Sequence, residues 1–511
     1  MPEAKTVFEL LKAVQDPTAV ALSAPNRPNL TYEGLLDLIK RSVLFLNDLG
    51  IGRNDRVAMV LNNGPEMASA FVTFAAAATT APLNPNYRND EYRFYLEDLK
   101  AKVLVVEEDS TSPSIEVACD LGIPVIRLRV STTMAAGEFD IVASEGAKRL
   151  RTPDYTGFAE ASDLGLVLHT SGTTSRPKLV PLSQQNLVAS ALNISSALSL
   201  VPTDRSLNIM PLFHIHGLIA VILSSLTSGA SVYCTPGFNA LKVFKWLADC
   251  KPTWYSAVPT MHQAILSRAR NNTDTITNLG LRFIRSSSSS MPPQVMVELE
   301  KTFGCPVIEA YGMTEATHQM ASNPLPPATR KPGTVGIAAG PEVAIMNEQG
   351  EFLDGGKVGE IVIKGKNVTI GYENNSEANA DSFVNGWFRT GDQGLLDDEG
   401  YLSITGRLKE IINRGGEKIS PREVDEVLMD HPAVQQVVTF AVPHAKLGED
   451  VAAVVVLRDG EQVKASDIRD FTKQYLSDFK VPRQIIFMDE IPKGATGKLQ
   501  RIGLAEKLGL V

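Results

Sequence analysis

Cysteine is scarce in this sequence. Cys119, Cys234, Cys250 and Cys305 are the only four among 511 residues. They stand far apart and lack metal-ligand spacing, so the expectation is reduced, buried thiols, with neither a disulfide framework nor a cysteine-held metal. Long apolar runs are lacking too. None reaches the ~18 residues needed to cross a bilayer. The opening MPEAKTVFELLKAV has neither a basic n-region nor an apolar core, so no secretory leader is expected. The closing Gly-Leu-Val is not the S-K-L peroxisomal address. Nor is positive charge in excess: 49 Lys and Arg against 58 Asp and Glu give a net charge of −9, which argues against a broad nucleic-acid surface. These absences together favour a cytoplasmic protein.

What is present describes a multi-domain globular chain. Hydrophobic residues make up 44% and charged residues 21%, ordinary values for a folded protein, and the length exceeds one ordinary domain. In the first third, helices and strands alternate. Thr31 can cap a helix running to Leu49 and ending at Gly50. Arg56–Leu61 and Val103–Val106 read as strands, and Glu66–Ala77 as a helix. Farther on, strands are expected at Ser206–Met210, Ser231–Cys234, Trp254–Val258, Arg282–Arg285 and Val307–Tyr311, separated by helical patterns. Such alternation implies an α/β fold of largely parallel sheets covered by helices on both faces. In such sheets ligands bind beyond the carboxyl ends of the strands. From about Gly333 the texture changes to short strands with glycine turns, a β-rich subdomain. Near Gly406 it changes again, to a small α+β unit with a helix at Pro421–Met429. The expected division is a large N-terminal domain, 1–407, with its β-rich subdomain at about 333–407, and a small mobile C-terminal domain, 408–511.

One stretch stands out, His169-Thr-Ser-Gly-Thr-Thr-Ser-Arg-Pro-Lys178. An apolar run, Leu164–Leu168, precedes it, and a helical pattern follows at about Gln185–Leu200. The expected arrangement is a strand, a hydroxyl-rich loop and a helix. Backbone N–H groups in such a loop converge on an anion, and Lys178 adds a donor. The competing readings are an ordinary flexible loop and a degenerate P-loop, but G-x-x-x-x-G-K-[ST] is not matched.

Four further clusters carry chemistry. In Glu309-Ala310-Tyr311-Gly312-Met313-Thr314-Glu315 the aromatic ring can stack on a purine, Thr314 can bond a phosphate, and Glu315 can hold Mg²⁺. In Trp387-Phe-Arg-Thr-Gly-Asp392 the carboxylate can accept from both ribose hydroxyls. Gly406-Arg407-Leu-Lys409-Glu410 leads into Asn413-Arg-Gly415-Gly416, where Arg407 can reach ribose or phosphate and the glycine pair permits close approach or a large dihedral change. Pro492-Lys-Gly-Ala-Thr-Gly-Lys498 ends in a lysine that, taken alone, reads as a solvated charge. Each cluster also has a bland reading as a turn or strand end.

Taken in order, the five motifs resemble those of the acyl-adenylate-forming enzymes, and the resemblance covers nearly the whole chain. It departs from the usual TSGTTGxPKG form at Ser175 and Leu179, where glycine is common. Within that superfamily the chain resembles the plant and fungal oxalate–CoA ligases. This narrower likeness rests on HTSGTTSRPK, PLFHIHGL (Pro211–Leu218), RFIRSSSSSM (Arg282–Met291), EAYGMTEATHQMASNPLP and NRGGEKISP. The resemblance implies ATP-dependent activation of a small carboxylic acid, expected to be oxalate, and its transfer to coenzyme A, with Mg²⁺. The alternatives are a CoA ligase for another acid and an adenylating enzyme that does not use CoA.

By the same resemblance Thr170, Ser171, Gly172, Thr173, Thr174 and Lys178 clamp phosphate, and Glu309, Ala310, Tyr311 and Gly312 meet the adenine. Thr314 and Glu315 serve phosphate and metal, while Asp392 and Arg407 serve the ribose. Lys498 bridges the carboxylate and the α-phosphate. His214, Ser288, Ser289 and His318 line the acid pocket, with His214 also counted among the catalytic residues. Lys409 is the pivot of the small domain, and Gly415 and Gly416 line the CoA tunnel. Partners are then ATP, CoA and a small carboxylate, with no nucleic acid, membrane or obligatory protein partner expected.

Overall fold

The computed structural model describes residues 4–143, 153–170, 177–493 and 498–511. Ser171, Gly172, Thr173 and Thr174 of the expected phosphate clamp lie outside the described residues. No helix among those described is long and apolar enough to cross a membrane.

The larger, N-terminal domain contains two mostly parallel sheets. In the nine-stranded sheet, strands Val20–Ser23, Ser231–Cys234, Arg205–Asn208, Trp254–Ala257, Phe283–Ser287 and Val307–Met313 run parallel in that spatial order. Antiparallel strands close both edges. In the seven-stranded sheet, Val125–Arg129, Val103–Glu107, Arg56–Val60, Thr79–Pro82 and Leu164–Thr170 run parallel, again with antiparallel edges. Residues on these strands are buried on both faces, as their continuous apolar runs require. Helix Pro65–Ala75 is almost wholly buried because it lies between the two sheets, in one apolar core with helices Tyr32–Leu49 and Gln184–Ala197. Two further cores cover the outer faces, one under Val243–Cys250, Pro259–Ala269 and Pro293–Phe303, the other under Asn89–Asp98 and Ser114–Asp120.

Local chemistry sets the element ends. Thr31 accepts the Gly34 N–H at 3.1 Å, and Gly50 closes the same helix with a left-handed φ of 94°. The helical pattern after Lys178 begins at Gln184, capped by Ser183. Here the structure corrects the expected strand–loop–helix order. Lys178–Ser183 is itself a strand, pairing antiparallel with Leu164–Thr170 so that Thr170 faces Lys178. The phosphate-motif segment therefore joins two antiparallel strands. Pro181 cannot donate to a ladder, but its strand forms the sheet edge, where a missing N–H is tolerated. A second correction concerns Cys119. Three cysteines are buried, but Cys119 is exposed, because its helix turns Val117 and Ala118 inward.

A five-stranded antiparallel sheet follows, built from strands between Glu342 and Arg407. The smaller, C-terminal domain has its own five-stranded sheet, dominated by the long hairpin Val434–His444 and Gly448–Leu457, with an apolar core on each face. Helix Pro421–Met429 has Ser420 as its cap and proline in its first turn.

Candidate active site

In a largely parallel sheet a ligand cleft is expected beyond the carboxyl ends of the strands, and in the nine-stranded sheet those ends carry the candidate site residues. Strand Val307–Met313 delivers Tyr311 and continues into a short 3-10 turn, Thr314–Ala316. The Tyr311 hydroxyl donates to one oxygen of Asp392, and Arg407 Nε donates to the other at 2.9 Å. Asp392 and Arg407 face each other in adjacent strands, and the Thr390 hydroxyl accepts the Asp392 N–H at 3.1 Å. Asp392 is only 5% exposed. Both its oxygens are engaged, yet a carboxylate has about four acceptor positions, so ribose hydroxyls can still be accepted.

Beside this group stands Glu315. The Tyr372 hydroxyl donates to it at 2.7 Å, and the Lys178 ammonium lies 4.3 Å from the centre of the Tyr372 ring. Burial raises the Glu315 carboxyl above its ordinary value, while Tyr372 and, more remotely, Lys178 pull it back. Thr170 lies across the hairpin, its hydroxyl 3.5 Å from the Lys178 carbonyl oxygen. One buried carboxylate fits Mg²⁺ delivered on ATP, since that ion commonly takes one or two protein carboxylates plus phosphate oxygens. Among the described residues no group of three His, Cys, Asp or Glu side chains is placed to hold a metal ion.

The other end of the cleft is built from histidines. His216, at the start of helical segment His216–Leu223, is fully buried. Its Nδ1 lies 3.0 Å from Ser288 Oγ and its Nε2 lies 2.7 Å from Ser256 Oγ. The His318 ring is centred 5.1 Å from the His216 ring. His318 is 1% exposed, has a left-handed φ of 98°, and has no partner on either ring nitrogen among the described residues. A Cβ at Gly312 would stand 2.1 Å from the His318 carbonyl oxygen, so only glycine allows these two strands to close there. His214 is partly buried, and its Nδ1 has no partner among the described residues. Ser289, by contrast, is exposed. Burial holds all three imidazoles neutral, with His214 pushed down to about 3.

Lys498, from the small domain, reaches this cleft. Its charge depresses His214, His216 and His318, and it in turn feels Arg407 and Asp392. Burial is the first cause and Arg407 the second for an ammonium lowered to about 8. Three residues beyond, Arg501 donates to Glu410 at 2.5 Å and also bonds Asp425. The Lys498 segment is thereby tied to the turn Leu408–Glu410, which carries Lys409. Lys409 itself is exposed. Gly415 and Gly416, with φ of 63° and 99°, occupy the two-residue turn between strands Ile412–Arg414 and Glu417–Ile419 and are exposed. Sequence reasoning missed His216 and Arg285. The available signal for Arg285 was a charged residue inside the otherwise uncharged strand Phe283–Ser287.

Residues 11–373 match the AMP-binding enzyme family, and residues 423–498 match the AMP-binding enzyme C-terminal domain. The chain belongs to the AMP-binding enzyme family. It is 45% identical to an oxalate–CoA ligase of Arabidopsis thaliana, over 95% of each chain, and 44% identical to one of Saccharomyces cerevisiae, over 89% of this chain and 87% of the other. Among solved structures, ATP-bound MatB from Rhodopseudomonas palustris superposes with a TM-score of 0.88 at 29% identity, covering 98% of both chains. The apo form of that enzyme gives 0.79 at the same coverage. The backbone of this chain thus superposes better on the ATP-bound structure of that enzyme than on the apo one.

Proposed function

We propose that this enzyme joins oxalate to coenzyme A in two steps, forming oxalyl-adenylate and pyrophosphate from ATP, then oxalyl-CoA and AMP. A carboxylate is a poor acyl donor because oxide is a poor leaving group; adenylation replaces it with AMP. The obstacle to the first step is negative charge approaching negative charge, and positioned cations lower it. In this reading Lys178 and Lys498 supply such charge, Thr170, Ser171, Gly172, Thr173, Thr174 and Thr314 supply phosphate donors, and Glu315 holds Mg²⁺, which offsets phosphate charge. The strand Glu309-Ala310-Tyr311-Gly312 lies along the adenine, while Asp392 and Arg407 hold the ribose. The domain division falls after Arg407. The small domain swings about Lys409 once the adenylate has formed, withdrawing Lys498 and bringing Gly415 and Gly416 to the CoA path. This reading carries a cytoplasmic location.

The observation that supports oxalate is His318. A buried imidazole with both nitrogens open is costly unless a ligand supplies the missing partner. The second carboxylate of oxalate would accept a hydrogen bond from the imidazole N–H, with His214, Ser288 and Ser289 around it. An alkyl chain would leave the imidazole unpaired. Both oxalate–CoA ligase relatives support the same acid. The test is pyrophosphate release over oxalate, malonate, glyoxylate, acetate, octanoate and 4-coumarate, with CoA thioester formation measured on the best. Oxalate is expected to lead by a wide margin. If octanoate or 4-coumarate leads, oxalate is the wrong acid while the ligase reading stands.

A further inference from the structure

Arg285 has no part in the reading above. Its side chain is fully buried on strand Phe283–Ser287, beneath the histidine end of the cleft. A buried guanidinium is strongly disfavoured unless an anion pairs with it. Among the described residues, its recorded partners are two neutral oxygens, Ser256 Oγ at 3.4 Å and Gln319 Oε1 at 3.2 Å, and its Nε has none. The Ser256 hydroxyl also meets His216 Nε2 at 2.7 Å, and the His216 ring abuts the open ring of His318. The cluster therefore gathers one cation and two imidazoles, and the contacts just named include no carboxylate. Burial lowers Arg285 to about 9, so it remains charged at neutral pH.

Such a site is complete only when an anion enters. The acid's reacting carboxylate is engaged at Lys498 and the α-phosphate, so the anion available to the cluster is the acid's other end. We propose that Arg285 is the specificity-determining counter-charge for the second carboxylate of a short dicarboxylic acid, its guanidinium held in place by Ser256 and Gln319. This rests on reading the cleft as an acid-activating site, and it adds that charge, beyond size or hydrogen bonding, selects the substrate. A monocarboxylic acid of equal length would leave the cation unpaired, and an acid with a neutral amide end would match the shape without the charge.

The test uses the full-length enzyme and pyrophosphate release with oxalate, oxamate (the monoamide) and acetate. Arg285→Gln is expected to lower kcat/KM for oxalate about 100-fold, chiefly through KM, while oxamate and acetate change less than about threefold. Arg285→Lys, which keeps the charge, should recover about tenfold of the oxalate loss. Equal losses on all three acids would make Arg285 structural and overturn the proposal. If Arg285→Gln does not fold, Gln319→Glu decides. It sets an internal carboxylate beside the guanidinium, giving up the bond that Gln319 Nε2 donates to Ala339 O at 3.2 Å. The oxalate-to-oxamate ratio should then collapse, and an unchanged ratio overturns the proposal. Wild-type preference for oxalate combined with indifference to both substitutions defeats this inference alone. Wild-type preference for a monocarboxylic acid defeats the substrate reading as well.

Discussion

The two ends of the cleft satisfy their buried polar groups differently. At the Tyr311 end, each side chain has a protein partner: Tyr311 and Arg407 on Asp392, Tyr372 on Glu315. At the histidine end, among the described residues, His318 has both nitrogens open, His214 has one, and Arg285 has a free Nε. A satisfied network is rigid before any ligand arrives and can hold a nucleotide common to many reactions. An unsatisfied one is incomplete until the right ligand enters, and it penalises the wrong one. The contrast implies that binding generality resides at the first end and substrate choice at the second. Lys498 touches both electrostatically, which makes it the sharpest place to break the contrast.

Lys498→Ala should lower adenylation by about 1,000-fold or more while leaving thioester formation from pre-made acyl-adenylate nearly intact. Equal loss in both half-reactions would mean that the lysine serves the fold and not the first step. The pH profile sharpens this. Lys498 is lowered to about 8, so its positive charge is present below that pH and is lost above it. Adenylation should fall as pH rises through about 8, and the thioester step should lack that limb.

His318→Ala comes next. Loss of one hydrogen bond to a charged group should cost about 10- to 100-fold in kcat/KM for oxalate, with acetate little changed. An unaltered acid ranking would retain the reaction and discard the pocket assignment. Asp392→Ala tests the satisfied end and should act more weakly, raising the KM for ATP about tenfold without changing the acid ranking. A fall in melting temperature with unchanged ATP dependence would assign Asp392 to structure alone.

The parts of the molecule legible in the sequence share one property: their causes are local. Thr31 and Gly50 bound a helix because cap chemistry lies within a turn of each end, and Pro421–Met429 was legible for the same reason. Most of the parallel strands were readable from short apolar runs, although Val20–Ser23, Thr79–Pro82 and Val125–Arg129 were not among those expected. Strand Lys178–Ser183 was not, because its proline and its adjacency to a polar loop mask a pairing made with residues 164–170. The motifs located Tyr311, Asp392, Arg407 and Lys498 by order along the chain. They could not show that Asp392 bonds Tyr311, 81 positions away. Likewise His216 acquires meaning only through Ser256 and Ser288, 40 and 72 positions distant, and no periodicity reports such pairings.

Glu309 is the exception within the satisfied end, and it offers the smallest test. It sits on the same strand as Tyr311, 1% exposed, with Oε1 accepting the Met291 N–H at 3.0 Å and Oε2 without a partner among the described residues. Burial raises its carboxyl to about 7, against a modest opposing pull from Arg422. An acid whose folded value exceeds its unfolded value binds more protons when folded. Its folding contribution is therefore favourable at low pH and declines as pH rises from the unfolded value, near 4.5, through about 7. Glu309→Gln keeps the shape and the acceptor for Met291 but cannot ionise. It should leave the melting temperature unchanged near pH 4 and raise it by a few degrees at pH 8, corresponding to about 3 kcal/mol. The measurement is thermal unfolding of both proteins across that range. A difference independent of pH would mean that Glu309 stays charged when folded, and that an unseen donor completes the Tyr311 end after all.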